Sequence, residues 1–432
     1  MSRTIDINVH HVTRVEGHGN ITVRARDGKI LKNEWQVPEA PRFFEAMVRG
    51  KSYEDIQTIV SRICGICSVT HSLAAIKAIE DAMGIAVSEQ TDRLRILAHY
   101  GEQIESHSLH VGYLVAPDLL GQQSVVPLAT SHPEVVKAVI AIHRLGNTMM
   151  ERLSGRKTHP VRLVPGGFSQ LPTAADLEEL RELLEGVLPS AKALVEVVAS
   201  LAGGFPDFER ETEYIALVKP PTYPFYHGAI GSTDSDEPVP VQEFERVVNE
   251  YVVPQSTAKW TRWHRDAYAV GALARYNLNA AHLLPMAVET ARQLGLKPGG
   301  CNPYYNSVAQ VVEIMQVVER SLQLIDERLA AGIEDERPAV TPCAGTGTGC
   351  VEAPRGILFH KYSFDERGRC TAANICIPTN QNHGNIQKDF EALVPGLLDR
   401  EQDEIRLLME MLVRAYDPCI SCSTHYLDVN FV

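Results

Sequence analysis

Two short cysteine pairs stand almost a full chain apart, Cys64-x-x-Cys67 in RICGICSVTH and Cys419-x-x-Cys422 in DPCISCSTH, and each is followed by a histidine. Thiolates at this spacing hold soft metal ions, and two pairs make a four-sulfur set. If both pairs serve one ion, residues near 65 and 420 must meet inside the fold. A helix would put Cys64 and Cys67 on one face, Gly65 leaves room for close backbone approach, and Pro418 keeps the second pair out of a helix interior. Spacing alone also fits a structural zinc site. A thioredoxin-like dithiol fits less well, because neither pair lies in a βαβ pattern. Structural zinc usually ties together a short, core-poor module, whereas a chain of 432 residues buries a large core without such a staple. The contrast favours a functional metal.

The formal net charge of -13 argues against nucleic acid or an anionic membrane as partner, since both require a basic footprint. The N-terminal MSRTIDINVHHVTRVEGHG has no apolar signal region, and no stretch reaches the ~18 uninterrupted apolar residues of a membrane span. A cytoplasmic chain with no direct membrane span is expected. Of the nine cysteines, Cys343, Cys350, Cys370 and Cys376 match no iron–sulfur spacing and read as ordinary buried thiols, with Cys301 alone.

Residues 20–37 alternate as a hairpin around Asp27-Gly28, with Ile21, Val23 and Ala25 on one face. Helical periodicity follows over 56–84, 88–115, 134–154, 174–202, 241–252, 268–295, 307–331 and 386–415. Val311, Ile314, Val318, Leu322 and Ile325 form one core stripe, and Thr173 with Asp176 forms a capping box. The Gly- and Pro-rich stretches 164–173, 219–241 and 341–350 read as loops, and short strands are expected around 357–379. The expected architecture is mainly α, one domain over 1–432 built round a long-helix bundle with a small N-terminal β portion.

The flanks of the cysteine pairs are specific. RICGICSVTH and DPCISCSTH resemble the nickel-binding motifs of the large, catalytic subunit of [NiFe]-hydrogenases. TRVEGHG at 13–19, PRFFE at 41–45, EAPRG at 352–356 and NICIPT at 374–379 also match that family in order and approximate spacing. The resemblance implies reversible splitting of dihydrogen at a Ni-Fe centre whose iron carries carbon monoxide and cyanide. It makes Cys64 and Cys419 terminal nickel ligands, Cys67 and Cys422 bridges to iron, and Cys419 the base that takes the proton. Glu16 matches the proton-relay carboxylate, and partial desolvation would suit its pKa to passing protons.

The resemblance further places Arg355 over the open metal position, with Ala353 and Pro354 near the diatomic ligands. Pro378 and Thr379 would line and hydrogen-bond a cyanide, and His71 would support a bridging thiolate. Glu45, His425 and the backbone carbonyl near Ile375 match the ligands of a magnesium ion that keeps several waters. Membrane-linked members carry an acidic residue close to the active-site arginine, where Ser106 stands here. His107 and His110 read as core or hydrogen-bonding histidines, not a metal pair.

No cluster motif is present, so the resemblance implies an iron–sulfur small subunit as electron partner, with the iron–sulfur clusters held there only. The PRFFE form and the DPCISCSTH ending are similar to the cytoplasmic bidirectional branch coupled to NAD(P), a deazaflavin or a heterodisulfide. NAD(P) linkage through flavin and NAD(P)-reductase subunits is the favoured expectation. The alternatives are a deazaflavin- or heterodisulfide-linked enzyme, a hydrogen-sensing regulator, and a Complex I-type quinone-linked subunit, whose relatives have lost the nickel cysteines. The family also implies a maturation chaperone and an endopeptidase, and removal of residues 426–432 after His425 is expected.

Overall fold

Long helices with identifiable stops and starts frame the computed structural model, which describes residues 4–336 and 338–425. Helix α1 (Ser68–Met83) opens at Cys67 and stops at Gly84, which takes a left-handed conformation with φ 65°. In α2 (Glu89–Leu109) the Ser88 hydroxyl accepts the Thr91 N–H at 3.0 Å, and the helix runs on into a π-helical turn over His110–Val115. Helix α3 (Pro133–Ser154) carries proline in its first turn. The capping box expected at Thr173 and Asp176 opens α4 (Ala174–Leu201). Then come α5 (Ala272–Asn279), α6 (Asn306–Ala331), α7 (Pro378–Leu393) and α8 (Gln402–Ala415). Helices α2 and α3 touch backbone to backbone, because a methyl on Gly146 would stand 2.5 Å from the Glu105 nitrogen. In the expected stripe on α6, Val311, Ile314, Val318 and Ile325 are buried, with Leu322 at its margin.

Strands β1 (Thr4–Val9), β2 (Asn20–Arg26) and β3 (Lys29–Gln36) form the N-terminal antiparallel sheet, with Ile21 opposite Trp35. A second sheet joins β4 (Glu213–Val218), β5 (Ala229–Ser232) and β6 (Ser235–Val239) to a short parallel strand at Tyr268–Ala269. Strands β7 (Asn249–Val253) and β8 (Ser256–Arg262) make a hairpin. Strands β9 (Gly345–Ala353), β10 (Gly356–Phe364) and β11 (Cys370–Cys376) make a third antiparallel sheet, whose first strand lies on α1. One apolar core runs from β1 to the second cysteine pair, and a smaller one lies under β4 and β10.

Several expectations are corrected. The helix expected over 56–84 breaks at the first cysteine pair: Cys64 is extended (φ -147°, ψ 145°), so Cys64 and Cys67 do not share a helical face. The segment 241–252 is a short turn that buries Phe244 and then enters β7, where Tyr251, Val252 and Val253 favour a strand. The loop expected at 341–350 becomes β9, because Gly345, Gly347 and Gly349 alternate on the face against α1. A methyl on any of them would fall 1.9–2.2 Å from the backbone of Ala74 or Ala82. The run 268–295 divides before Pro285, and 386–415 divides around Val394–Leu397, where Pro395 sits.

Cys343 is exposed, not buried. The segment Ala174–Gly204 is apolar and long enough to cross a membrane by composition, which the sequence reading passed over; it lies along α3 and α6. The C-terminal segment 426–432, expected to be removed, lies outside the described residues.

Candidate metal centre

The two cysteine loops meet. Cys67 caps α1, Cys419 caps a helical turn at Ile420–Ser423, and the four sulfurs lie buried within 4.8 Å of one another. Cys64 and Cys419 Sγ are 3.5 Å apart, Cys67 and Cys422 Sγ 3.9 Å, and the sulfurs of Cys419 and Cys422 are in direct contact; as thiols the four offer one ligand set. The N–H groups of Ile66 and Cys67 both point at Cys64 Sγ from 3.3 Å. A hydrogen bond from Cys67 draws the Cys64 thiol down to about 7 against the effect of burial, with Arg355 assisting. That bond and burial push Cys67 well up. A buried four-sulfur set suits a soft transition metal and not magnesium or calcium.

Neighbouring side chains fix both loops. Arg42 Nη2 donates to Ile63 O at 2.7 Å and also to Ser421 O, stitching one loop to the other. Thr379 Oγ1 accepts the Cys419 N–H at 3.0 Å, which leaves its own O–H to donate. Glu102, on α2, accepts the N–H groups of Val69 and Thr70 at 2.6 and 3.1 Å, satisfying the first turn of α1 behind Cys67. Burial pushes Glu102 up to about 8 in spite of these bonds. Half-buried Glu16 runs beside the second loop: its carbonyl accepts the Ile420 N–H at 3.0 Å and its Oε2 the Ser421 N–H at 3.1 Å. Gly17 (φ 86°) permits this approach, since a methyl there would lie 2.7 Å from Ser421 N.

Arg355 stands at the β9–β10 turn. Its Nε donates to Asp417 O at 2.7 Å and its Nη2 meets Asp417 Oδ1 at 2.9 Å, while Nη1 is buried without a hydrogen-bond partner among the described residues. Asp417, in a left-handed conformation with φ 48°, offers the guanidinium its backbone O and Oδ1, while its Oδ2 accepts from Gln310 Nε2 at 3.1 Å. Burial opposes the charge on Arg355, but Asp417 and the cysteine thiolates outweigh it and raise its pKa. Ala353, Arg355, Pro378, Thr379 and His71 line one small apolar cavity with Cys67, Cys419 and Cys422. Pro354 contributes its carbonyl to Arg275. His71 Nδ1 meets His360 Nε2 at 3.0 Å, His360 Nδ1 meets the Tyr362 hydroxyl at 2.6 Å, and burial holds His71 down to about 3, hence neutral.

The second expected site also comes together. His425 Nε2 lies 2.7 Å from Ile375 O and 3.5 Å from Glu45 Oε1, which accepts the Ile375 N–H at 2.8 Å. Burial raises the Glu45 carboxyl, yet the bond and charge from His425 outweigh it and hold the pKa below the ordinary value. A carboxylate, a carbonyl and an imidazole at this spacing fit a hydrated divalent cation.

Other residues contribute whose roles depend on the fold. Asp417 and Arg42 stood inside quoted motifs and could have been found by asking what balances Arg355 and what joins the loops. Glu102, His360 and Arg275 carried no sequence signal. Ser106 is buried; its neighbour Glu105 supplies the nearby carboxylate, pushed by burial up to about 8 against the pull of Arg355. His107 bonds Glu313 at 2.8 Å, and His110 bonds Gln310 and the Arg414 carbonyl.

The family model described as nickel-dependent hydrogenase matches residues 42–138 and 243–425, and one described as HoxL-like matches 6–39. The chain is 34% identical over 423 residues to sulfhydrogenase 1 subunit alpha of Pyrococcus furiosus, covering 98% of each. It is 28% identical to the NAD-reducing hydrogenase HoxS subunit beta of Cupriavidus necator, over 99% of this chain and 96% of that one. A crystal structure of an NAD+-reducing [NiFe]-hydrogenase in the H2-reduced state superposes with a TM-score of 0.89 at 26% identity, covering 97% of this chain and 99% of that chain.

Proposed function

The chain belongs to the nickel-dependent hydrogenase family, and from that premise we propose how the residues of this catalytic subunit divide the work of splitting dihydrogen into protons and electrons. The observation that carries the reading is the convergence of four buried cysteine sulfurs from opposite ends of the chain within 4.8 Å. Cys64, Cys67, Cys419 and Cys422 would hold the nickel–iron centre, with Cys67 and Cys422 as the pair that would serve both metals. When bound, the nickel–iron centre supplies a redox-active Lewis acid that polarises dihydrogen. Cys419 would take the proton and Glu16, whose carboxylate lies beside the same loop and accepts the Ser421 N–H, would carry it away. Arg355 sets a fixed positive charge at the cavity, held by Asp417. Pro378 and the free Thr379 hydroxyl face the space where the carbon monoxide and cyanide of iron would sit. His71 is buried neutral beside the bridging pair. Glu45, Ile375 O and His425 would hold magnesium.

Electrons leave to a partner small subunit carrying iron–sulfur clusters. Among the described residues no second group of three or more His, Cys, Asp and Glu side chains converges as a metal site. Flavin and NAD(P)-reductase subunits complete a cytoplasmic complex, in line with the NAD-reducing relative, and a chaperone and an endopeptidase mature the chain. The test is to purify the intact complex, measure nickel and iron, record infrared bands of carbon monoxide and cyanide, and compare hydrogen-dependent reduction of NAD, NADP and a deazaflavin. About one nickel and one iron per chain, with the bands and fastest reduction of NAD or NADP, is expected. Stoichiometric zinc without bands would refute the metal assignment, and preference for deazaflavin the acceptor.

A further inference from the structure

Arg355 is presented by the tight connection from β9 to β10, and that connection is gripped from two helices. From α2, His99 Nε2 and Gln103 Nε2 reach Glu352 O at 2.7 and 2.8 Å. From α5, Arg275 Nη1 donates to Ala353 O and Nη2 to Pro354 O, both at 3.0 Å. The remaining donors of Arg275 are also used: Nε to Glu313 Oε1 at 2.6 Å, Nη2 to Glu313 Oε2 at 2.7 Å and Nη1 to Glu352 Oε2 at 2.9 Å. A guanidinium has five N–H groups, and here each has an acceptor. The side chain is wholly buried, with the Phe225 ring 5.3 Å from the guanidinium carbon.

The carboxylates around it are themselves fixed. Glu313 accepts from His107 at 2.8 Å and Tyr223 at 2.7 Å, and Glu352 accepts the Leu217 N–H at 2.7 Å. Burial works against charge on Glu313, but Arg275 holds it down to about 2, while burial pushes Glu352 up to about 7. A buried ion network of this kind is weak evidence for stability, because well-packed apolar side chains hold a fold as firmly. What apolar side chains cannot do is aim two carbonyls. Lysine cannot replace this fork either, since its donors sit on one nitrogen.

We propose that Arg275 is a positioning residue of the active centre, whose guanidinium fixes the Ala353 and Pro354 carbonyls and through them sets where Arg355 stands over the cysteines. The inference rests on Arg355 serving the hydrogenase reaction. The test is Arg275→Lys in the full complex with its partner subunits. Nickel and iron per chain and the KM for dihydrogen should stay near native. Hydrogen–deuterium exchange per nickel should fall about 10²-fold, the scale of a 1 Å misplacement, and the infrared bands of the diatomic ligands should shift. A rate per nickel and bands equal to native would overturn the proposal, as would a rate that falls only in proportion to nickel content. If Arg275→Lys does not accumulate, the double variant Arg275→Met with Glu313→Gln, which removes opposite charges together, is measured against the same criteria. Native complex with neither exchange nor bands would instead overturn the hydrogenase reading, and this inference with it.

Discussion

Gly349→Ala tests whether the contact between β9 and α1 sets the geometry of the metal centre. The added methyl would stand 1.9 Å from Ala74 O and 2.6 Å from Ala78 N. Both are backbone atoms, so no flexible side chain can yield. Side-chain β-carbons essentially never come closer than 3.0 Å to other heavy atoms, so strand and helix must part by about 1.1 Å. Overpacking of this kind costs about 1–3 kcal/mol. With an unfolding entropy of about 2.1 cal/mol/K per residue, that is only about 1–3 °C in Tm for a chain this long. The chemistry should respond far more. Helix α1 starts at Cys67 and β9 ends beside Arg355, so the separation moves one against the other, and about 1 Å of misplacement costs on the order of 10²-fold in rate. Gly345→Ala supplies the comparison, because its methyl would meet Ala82 O at 2.0 Å at the far end of the same contact. It should lower Tm similarly and slow exchange much less. The assay is hydrogen–deuterium exchange per bound nickel beside thermal melting. A Gly349→Ala enzyme that keeps its native rate per nickel would refute the reasoning, as would equal losses in both variants.

Three further outcomes are expected. Glu16→Gln should leave metal content and infrared bands intact and nearly abolish hydrogen–deuterium exchange; unchanged exchange would remove Glu16 from the relay. The Trp35 indole N–H donates to His383 Nδ1 at 3.0 Å, so Nε2 carries the proton and donates to Ser423 Oγ at 3.0 Å, and burial pushes this imidazole from 6.5 down to about 3. The unfolded chain gains that proton below about pH 6.5 and the native state only near pH 3. Native stability therefore falls on acidification across that window by about 1.4 kcal/mol per pH unit, and His383→Gln should remove that share of the slope in urea midpoints at pH 7, 6 and 5. Equal slopes would contradict the assignment. Glu45→Gln should lower the magnesium retained after dialysis while nickel content is unchanged, and native magnesium retention in the variant would rule out Glu45 as a ligand.

What the sequence made legible was mostly local. Each cysteine pair lies in one short motif, so the four cysteines that the fold gathers could be named from their flanks, and the helical stripe on α6 shows in apolar spacing because one face of that helix meets the core. Strand β9 was hidden because its glycines mean close approach to Ala74 and Ala82, not a loop, and only the partner helix reveals which. Arg275 was hidden for a related reason. Its five acceptors come from Glu313, Glu352, Ala353 and Pro354, which lie 38 to 79 residues away, and no periodicity encodes that. Asp417 was visible as a letter in DPCISCSTH but not as a partner, since its role depends on a left-handed backbone that turns it toward Arg355.

How the two ends of the chain are brought together is answered chiefly by α7. On one side it binds the N-terminal sheet: Gln387 Oε1 accepts the Trp35 N–H at 2.9 Å, and Asn33 donates to Phe390 O at 2.8 Å. On the other it binds the second cysteine loop, through Asn380 to Ser423 O at 3.1 Å, His383 to Ser423 Oγ, and Thr379 to the Cys419 N–H. Cys64 and Cys419 are 355 residues apart in sequence, yet the extra closure entropy of so long a loop grows only logarithmically with length. The contacts of α7 on both sides work against that cost. The ion then binds sulfurs that the native fold has gathered and the unfolded chain has not. Its affinity should add to native-state stability as RT ln(1 + [L]/Kd).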